Sequence, residues 1–391
     1  MNNTEKLLIE ILSAFVNGKS PAITTEYDAS ELYELAKAQS VLGITGYILN
    51  KYDQKEILSA EKRLADVFDK TVIQLVRIEF SANRILKLLN SEGIKHIIFK
   101  GLVVKECYPV PELRTFGDVD IIIREEDREK IHNLMCRLGF RYQIMDGGEV
   151  CSYIKGAEHY EFHTTLNSEK IRLSDNLADF WNYTRQKDGL TFEFTEEFHL
   201  CYLISHIEKH VYGTGAGVRM YLDIALFLNR YKDKLDLNRI RELLKECELE
   251  EFLDSVLYLC QQWFGTDVKP IRSMSRAVYH EFCRYTFKGG VFGLMNKDDV
   301  AQNEVRQAIR SKGKLGKLFV ILSHIFPSYR ELKRMYPFFN GKPYLLPAGW
   351  VVHFFKAFKR SGLKNIRTIA SVNMQKARNE KELLEKIGSK R

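Results

Sequence analysis

The sequence predicts an α/β protein of the α+β kind, a small mixed-sheet core flanked by N- and C-terminal helical regions. Three observations carry that expectation. Apolar residues recur at i, i+3 and i+4 through the first ninety residues and again after Phe194, the period of an amphipathic helix. Between these regions the pattern changes to short β-branched or alternating runs at 95–99, 119–123 and 140–164. With 391 residues the chain is also too long for one ordinary domain. The expected division is a helical region at 1–92, a sheet core at 93–194 and a helical domain at 195–391 that turns basic from about 301.

Taken in order, Leu7, Leu8, Ile11, Leu12 and Phe15 mark a first helix ending near Asn17-Gly18. Asp28-Ala29-Ser30-Glu31 caps a second. From Lys55 to Leu89 the spacing predicts one unusually long helix closed by Gly93. Lys95–Phe99 reads as a strand broken by Gly101, and Leu102–Tyr108 as a brief helix cut off by Pro109 and Pro111. Val119–Ile123, four β-branched residues and an aspartate, is the strongest strand in the chain. Glu125–Leu138 returns to helix, with acidic residues in its first turn and Gly139 after its last. Phe140–Met145, Val150–Ile154 and His159–Thr164 then alternate like antiparallel strands, with a turn at Asp146-Gly147-Gly148.

Composition narrows the class. A hydrophobic fraction of 45% and a charged fraction of 28% are those of a soluble globular protein. No run of eighteen apolar residues occurs, so no membrane span is expected, and the opening Met1–Lys6 lacks the basic and apolar regions of a signal peptide. Seven cysteines with no Cys-x-x-Cys pair argue against a disulfide framework or a structural zinc, and for reduced thiols in a cytoplasmic protein. The net charge of +8 is unevenly distributed: residues 301–391 hold 20 Lys and Arg against 5 Asp and Glu, and the remaining residues hold 39 against 46. A basic C-terminal region reads either as a contact for a polyanion (nucleic acid, nucleotide phosphate or anionic lipid) or as a solvated helical surface.

The chemistry concentrates at Asp118-Val119-Asp120. Residues two apart in a strand share a face, so the two carboxylates project together and need a cation, a shared proton or water. Mg²⁺ takes oxygen ligands of this kind and leaves positions for phosphate oxygens. Lys100-Gly101 ends the preceding strand and opens a helix, a place where backbone can approach a phosphate. In His159-Tyr160-Glu161-Phe162-His163 the alternation puts His159, Glu161 and His163 on one face. If that strand lies beside the aspartate strand, Glu161 becomes a third carboxylate aimed at the same cation, as two-metal phosphoryl transfer requires.

Phe99-Lys100-Gly101, Tyr108-Pro109, Arg114 and Gly117-Asp118-Val119-Asp120 together resemble the polymerase-beta-like nucleotidyltransferase superfamily, and within it an uncharacterised bacterial branch of the form Lys-Gly, Tyr-Pro, Arg-x-x-x-Asp-x-Asp. The resemblance covers 93–165. It implies that Asp118, Asp120 and Glu161 are both catalytic residues and ligands of two Mg²⁺ ions, with Mn²⁺ as a substitute. It implies a nucleoside triphosphate as substrate, with Lys100, Gly101, Arg114 and His163 among the nucleotide-binding residues. The same branch carries a histidine-rich helix after the catalytic unit, which extends the expected nucleotide-binding set to His206, His210 and Arg219.

Read without the resemblance, His206 and His210 share a helix face but lack a third zinc donor, since Ile207 stands where a zinc protease has glutamate. On that reading they are structural histidines bonded to neighbours at a domain seam. Gly289-Gly290-Val291-Phe292-Gly293 lacks the Lys-Ser/Thr of a phosphate loop and reads as a turn. The aromatics Tyr329, Tyr336, Phe338, Phe339, Tyr344, Trp350, Phe354 and Phe355 could stack on bases but are expected to pack a core. The expected activity is Mg²⁺-dependent transfer of a nucleoside monophosphate to a hydroxyl or amine of a small molecule, RNA or protein. The alternative is a nucleotide- or RNA-binding protein without turnover, motivated by Lys100-Gly101 standing where the superfamily has Gly-Ser or Gly-Gly. A sugar-nucleotide glycosyltransferase ranks last, because only about a hundred residues carry α/β pattern where such a domain needs about 200.

Overall fold

A computed structural model describes the chain apart from residues 24–25, 146–149, 167–176, 178, 214, 291–296, 340, 361 and 390–391. The expected Asp146-Gly147-Gly148 turn and Val291–Gly293 lie outside the described residues. The chain divides into two compact units, Met1–Val291 with Ile387–Arg391, and Phe292–Lys386.

The first unit opens with α1 (Asn3–Asn17), started by a capping box between Asn2 and Glu5 and ended by Gly18 at φ 64°. Next come α2 (Ala29–Ala38), capped by Asp28, and α3 (Leu42–Lys51). The single helix expected from Lys55 to Leu89 is in fact α4 (Lys55–Ala60), a 3-10 turn (Lys62–Leu64) and α5 (Val67–Ser91). Glu61 makes the break. Its backbone leaves the helical region at φ −134°, ψ 86°, and its carboxylate accepts from the Arg63 amide at 3.1 Å and from Arg63 Nε at 2.8 Å, which favours a cap over a continuing helix.

A seven-stranded mixed sheet follows: β1 (His96–Ile98), β2 (Val119–Ile123), β3 (Arg141–Met145), β4 (Val150–Lys155), β5 (Glu158–His163), β6 (Thr184–Asp188) and β7 (Thr191–Phe194). Between its strands lie α6 (Gly101–Val104) and α7 (Arg128–Arg137). The strand order is β3-β4-β5-β2-β1-β7-β6, with β1 antiparallel to β2 and β2 parallel to β5. β6 and β7 were not expected. β6 reads Thr-Arg-Gln-Lys-Asp, has no apolar residue and is mostly exposed at the sheet edge, so it leaves no periodic signal. β7 is only four residues long.

The alternation along β2 and β5 sets the two faces of the sheet. Val119, Ile121, Ile123, Tyr160 and Phe162 pack under α5 and α7 against Leu75, Ala82, Ile85, Leu89, Ile131, Leu134 and Met135. By strand parity Asp120, Glu161 and His163 are left on the opposite face. The unit continues with α8 (Glu196–Gly213), α9 (Val218–Tyr231), α10 (Leu237–Glu246), α11 (Glu250–Phe264) and α12 (Arg276–Gly289). Gly215 and Gly289 meet backbone to backbone: a Cβ on Gly215 would come within 2.7 Å of the Gly289 Cα, so packing accounts for both glycines.

The second unit is helical: α13 (Lys297–Lys312), α14 (Gly316–Ile325), α15 (Tyr329–Met335), α16 (Leu346–Arg360), α17 (Gly362–Ser371) and α18 (Met374–Lys386). Its own core joins Val305, Ile309, Val320, Ile369, Val372 and Ala377. All seven cysteines are free thiols. Among the described residues no helix is long and apolar enough to cross a membrane.

Candidate active site

The parallel pairing of β2 with β5 sets Asp120 opposite Glu161 and Ile122 opposite His163. Two groups of donor atoms result, each within 4.8 Å: Asp118 with His159 and Glu161, and Asp120 with Glu161 and His163. Glu161 belongs to both. The three carboxylates singled out in the sequence therefore share one face, and each group adds a histidine. His163 was expected to bind nucleotide, and His159 was not assigned a role. The alternation of His159, Glu161 and His163 was the signal that could have placed both histidines beside the carboxylates.

Burial makes the electrostatics strong. Asp120 is 4% exposed, and its Oδ1 accepts from Lys100 Nζ at 2.7 Å and from His163 Nε2 at 2.8 Å. Burial alone would raise Asp120, but the Lys100 charge and the His163 hydrogen bond hold its carboxyl well below the ordinary range. Asp118 moves the other way: the Asp120 charge first, then burial, push it up, and Lys100 and His159 only partly offset this. Burial lowers His163 and keeps the imidazole neutral near pH 7, against the opposing pull of Asp120. Burial opposes the Lys100 ammonium as well, yet Asp120, with Tyr202 and Asp118, more than restores it.

Lys100 sits at φ 50°, ψ −123°, a left-handed backbone conformation that a side-chain-bearing residue adopts at a cost of about 1–3 kcal/mol. The turn that carries this strain delivers the ammonium to Asp120. Gly101, expected to let backbone approach a ligand, has a nearer explanation. A Cβ there would lie 2.8 Å from Arg114 Nη1 and 3.0 Å from Phe116 Cγ, and the helix it opens is only four residues long. Gly101→Ala is therefore expected to cost about 1–3 kcal/mol by overpacking, read as a lower urea midpoint.

Arg114 is buried, and its guanidinium is engaged by Asp223 of α9, through Nε at 3.2 Å and Nη2 at 2.9 Å. Tyr108 Oη donates to the same carboxylate at 2.7 Å. The charge of Arg114 is thus matched inside the protein. Of the remaining expected nucleotide residues, His206 stacks on Tyr202 with ring centroids 5.9 Å apart and lies edge-on to His210 at 4.6 Å. Tyr202 in turn packs edge-on against Phe99, beside Lys100. Arg219 donates to the Thr115 carbonyl, and its charge feels Asp118. His206 Nδ1 and Arg219 Nε are buried with no hydrogen-bond partner among the described residues. Burial, then His210, hold His206 well below the usual histidine range.

Residues 25–265 match the model of a family described as uncharacterised nucleotidyltransferase. No curated protein and no solved structure gives a significant match. The matched span covers well over half of the chain and contains the whole acidic cluster with its β2 and β5 supports. This chain belongs to the uncharacterised nucleotidyltransferase family.

Proposed function

We propose that the chain moves a nucleoside monophosphate from a nucleoside triphosphate to a hydroxyl or amine acceptor, with Mg²⁺ or Mn²⁺ held between β2 and β5. The single observation that carries this reading is the register that sets Glu161 beside Asp120 and makes it common to two donor groups. Carboxylate-rich groups of three donors fit such a dication. Asp118, His159 and Glu161 would hold one ion, and Asp120, Glu161 and His163 the other. When bound, the ions neutralise phosphate charge and acidify the attacking group.

The protein's own part is alignment and charge. The acceptor oxygen or nitrogen forms a bond to the α-phosphorus, the bond to the pyrophosphate oxygen breaks, and the acceptor proton passes to Glu161. Lys100 offers a buried positive charge to phosphate oxygens. The unmet polar atoms of His206 and Arg219 each cost about 1–3 kcal/mol of desolvation, which a bound nucleotide recovers by hydrogen bonding to them. Arg114 serves this site by fixing the segment before β2 to α9.

A second reading, nucleotide binding without turnover, is favoured by one feature: the Lys100 ammonium already neutralises Asp120. Calorimetry with the four nucleoside triphosphates, with and without Mg²⁺, followed by a pyrophosphate-release assay, separates the two. Release that depends on Mg²⁺ supports transfer, and binding with no release across acceptors supports the second reading. Lys100→Met is expected to tighten Mn²⁺ binding about tenfold in the absence of nucleotide, one pKa unit's worth of removed competition, and to slow pyrophosphate release. An unchanged Mn²⁺ affinity would contradict competition between Lys100 and the ion.

A further inference from the structure

We propose that the second unit docks on an anionic lipid surface through the joined apolar faces of α14 and α16. Leu315, Leu318, Phe319, Leu322 and Phe326 recur at the spacing of one helical face and are exposed, Leu315 by 66% and Phe326 by 51%. The opposite side of α14 sends Val320 into the unit's core. On α16, Val351, Phe354 and Phe355 again fall at i, i+3 and i+4, and all three are exposed. The two helices adjoin: the Phe326 ring lies 5.5 Å from that of Trp350, and His353 Nε2 lies 3.2 Å from the His324 carbonyl oxygen. Phe338 and Tyr344 are exposed nearby in the sequence, so much of this aromatic run does not pack a core as expected. Twelve of the eighteen exposed large apolar side chains among the described residues fall in 315–355. Such clustering marks an interaction surface.

Charge selects the occupant. The second unit, 292–386, carries 19 Lys and Arg against 7 Asp and Glu, so two copies of it repel each other. Cations sit over the exposed rings: Lys312 Nζ is 5.2 Å from the Phe319 centroid and Lys342 Nζ is 4.5 Å from that of Phe338. Nucleic acid would satisfy the charge, but bases stack on aromatics and gain little from a stripe of Leu315, Leu318, Leu322 and Val351. A bilayer interface with anionic headgroups satisfies both, with the aliphatic and aromatic side chains in the acyl boundary and the lysines at the phosphates. α14 spans ten residues, too short to cross, so the unit lies on the surface.

The test is flotation of the full chain with vesicles of phosphatidylcholine alone or with about 30% phosphatidylglycerol, at low and at about 0.5 M salt. The chain is expected to partition at least about fivefold more to the anionic vesicles, and less at high salt. Phe319→Ser with Leu322→Ser is expected to lower that partition about tenfold with an unchanged thermal melt, since both side chains are already exposed. Equal partition to both vesicles, or an unaffected double variant, overturns the proposal. So does a dimer in sedimentation that the double variant dissociates, or retention by single-stranded RNA without vesicle binding.

Discussion

Asp118→Asn and Asp120→Asn are expected to abolish nucleotidyl transfer alike and to differ in stability. Each removes a donor from a group of three around Glu161, and loss of at least about 10³ in pyrophosphate release is expected for either. Asp120→Asn also leaves the Lys100 ammonium buried against a neutral amide. Breaking a buried pair costs about 3–5 kcal/mol, and the retained hydrogen bond to the amide oxygen trims this to about 2–4. Asp118→Asn instead removes a carboxylate that Asp120 repels, so stability should hold or rise. The pH dependence follows from the opposite shifts. Asp120 is held below its ordinary value of 3.8, so its contribution is fully present above that pH and is lost as pH falls through the depressed native value. Asp118 is raised, so its ionisation subtracts stability as pH climbs from 3.8 through its native value. Urea melts of the three proteins between about pH 1.5 and 7, with release assays at neutral pH, check both halves.

Asp223→Ala is expected to be the most destabilising single change near the site, at about 3–5 kcal/mol, because it strands the buried Arg114 charge and removes the acceptor of Tyr108. Burial opposes the guanidinium, and Asp223 more than restores it. Burial together with Asp223 keeps the Tyr108 phenol neutral. Asp223→Asn retains a carbonyl oxygen for one donor and should lose roughly half as much. The urea midpoint reads both variants. Arg114 lies four residues before Asp118, so the alanine variant should also weaken metal binding by loosening the entry to β2. Metal binding as tight as in the parent at full loss of stability would show that this pair holds the fold without positioning Asp118.

The sheet was legible where strands carry apolar alternation, and the faces followed from it. Asp118 with Asp120, and His159 with Glu161 and His163, could each be placed on one face of their own strand from spacing alone, because strand period is two whatever the tertiary structure. Their side-by-side register could not, since it depends on β5 returning parallel to β2 through the β3-β4-β5 meander. The site's second layer was hidden for a similar reason. Arg114 looks like a phosphate ligand in a motif, and only the fold brings Asp223, 109 residues away, against it. Gly101 looks like a ligand approach until Arg114 and Phe116 fill the space beside it. The long helix expected from Lys55 to Leu89 misled because its apolar rhythm continues across a break that one side chain, Glu61, imposes through local hydrogen bonds.

The central claim is that Glu161 is shared by two cation sites, one reaching Asp118 and the other Asp120. Crystals soaked with Mn²⁺ and a non-hydrolysable nucleoside triphosphate test it directly through the anomalous signal of the metal. Two peaks, both within coordination distance of Glu161, with one on Asp118 and one on Asp120, are the expected result. No peak on Glu161 in crystals that hold the nucleotide, with Lys100 still on Asp120, would contradict it.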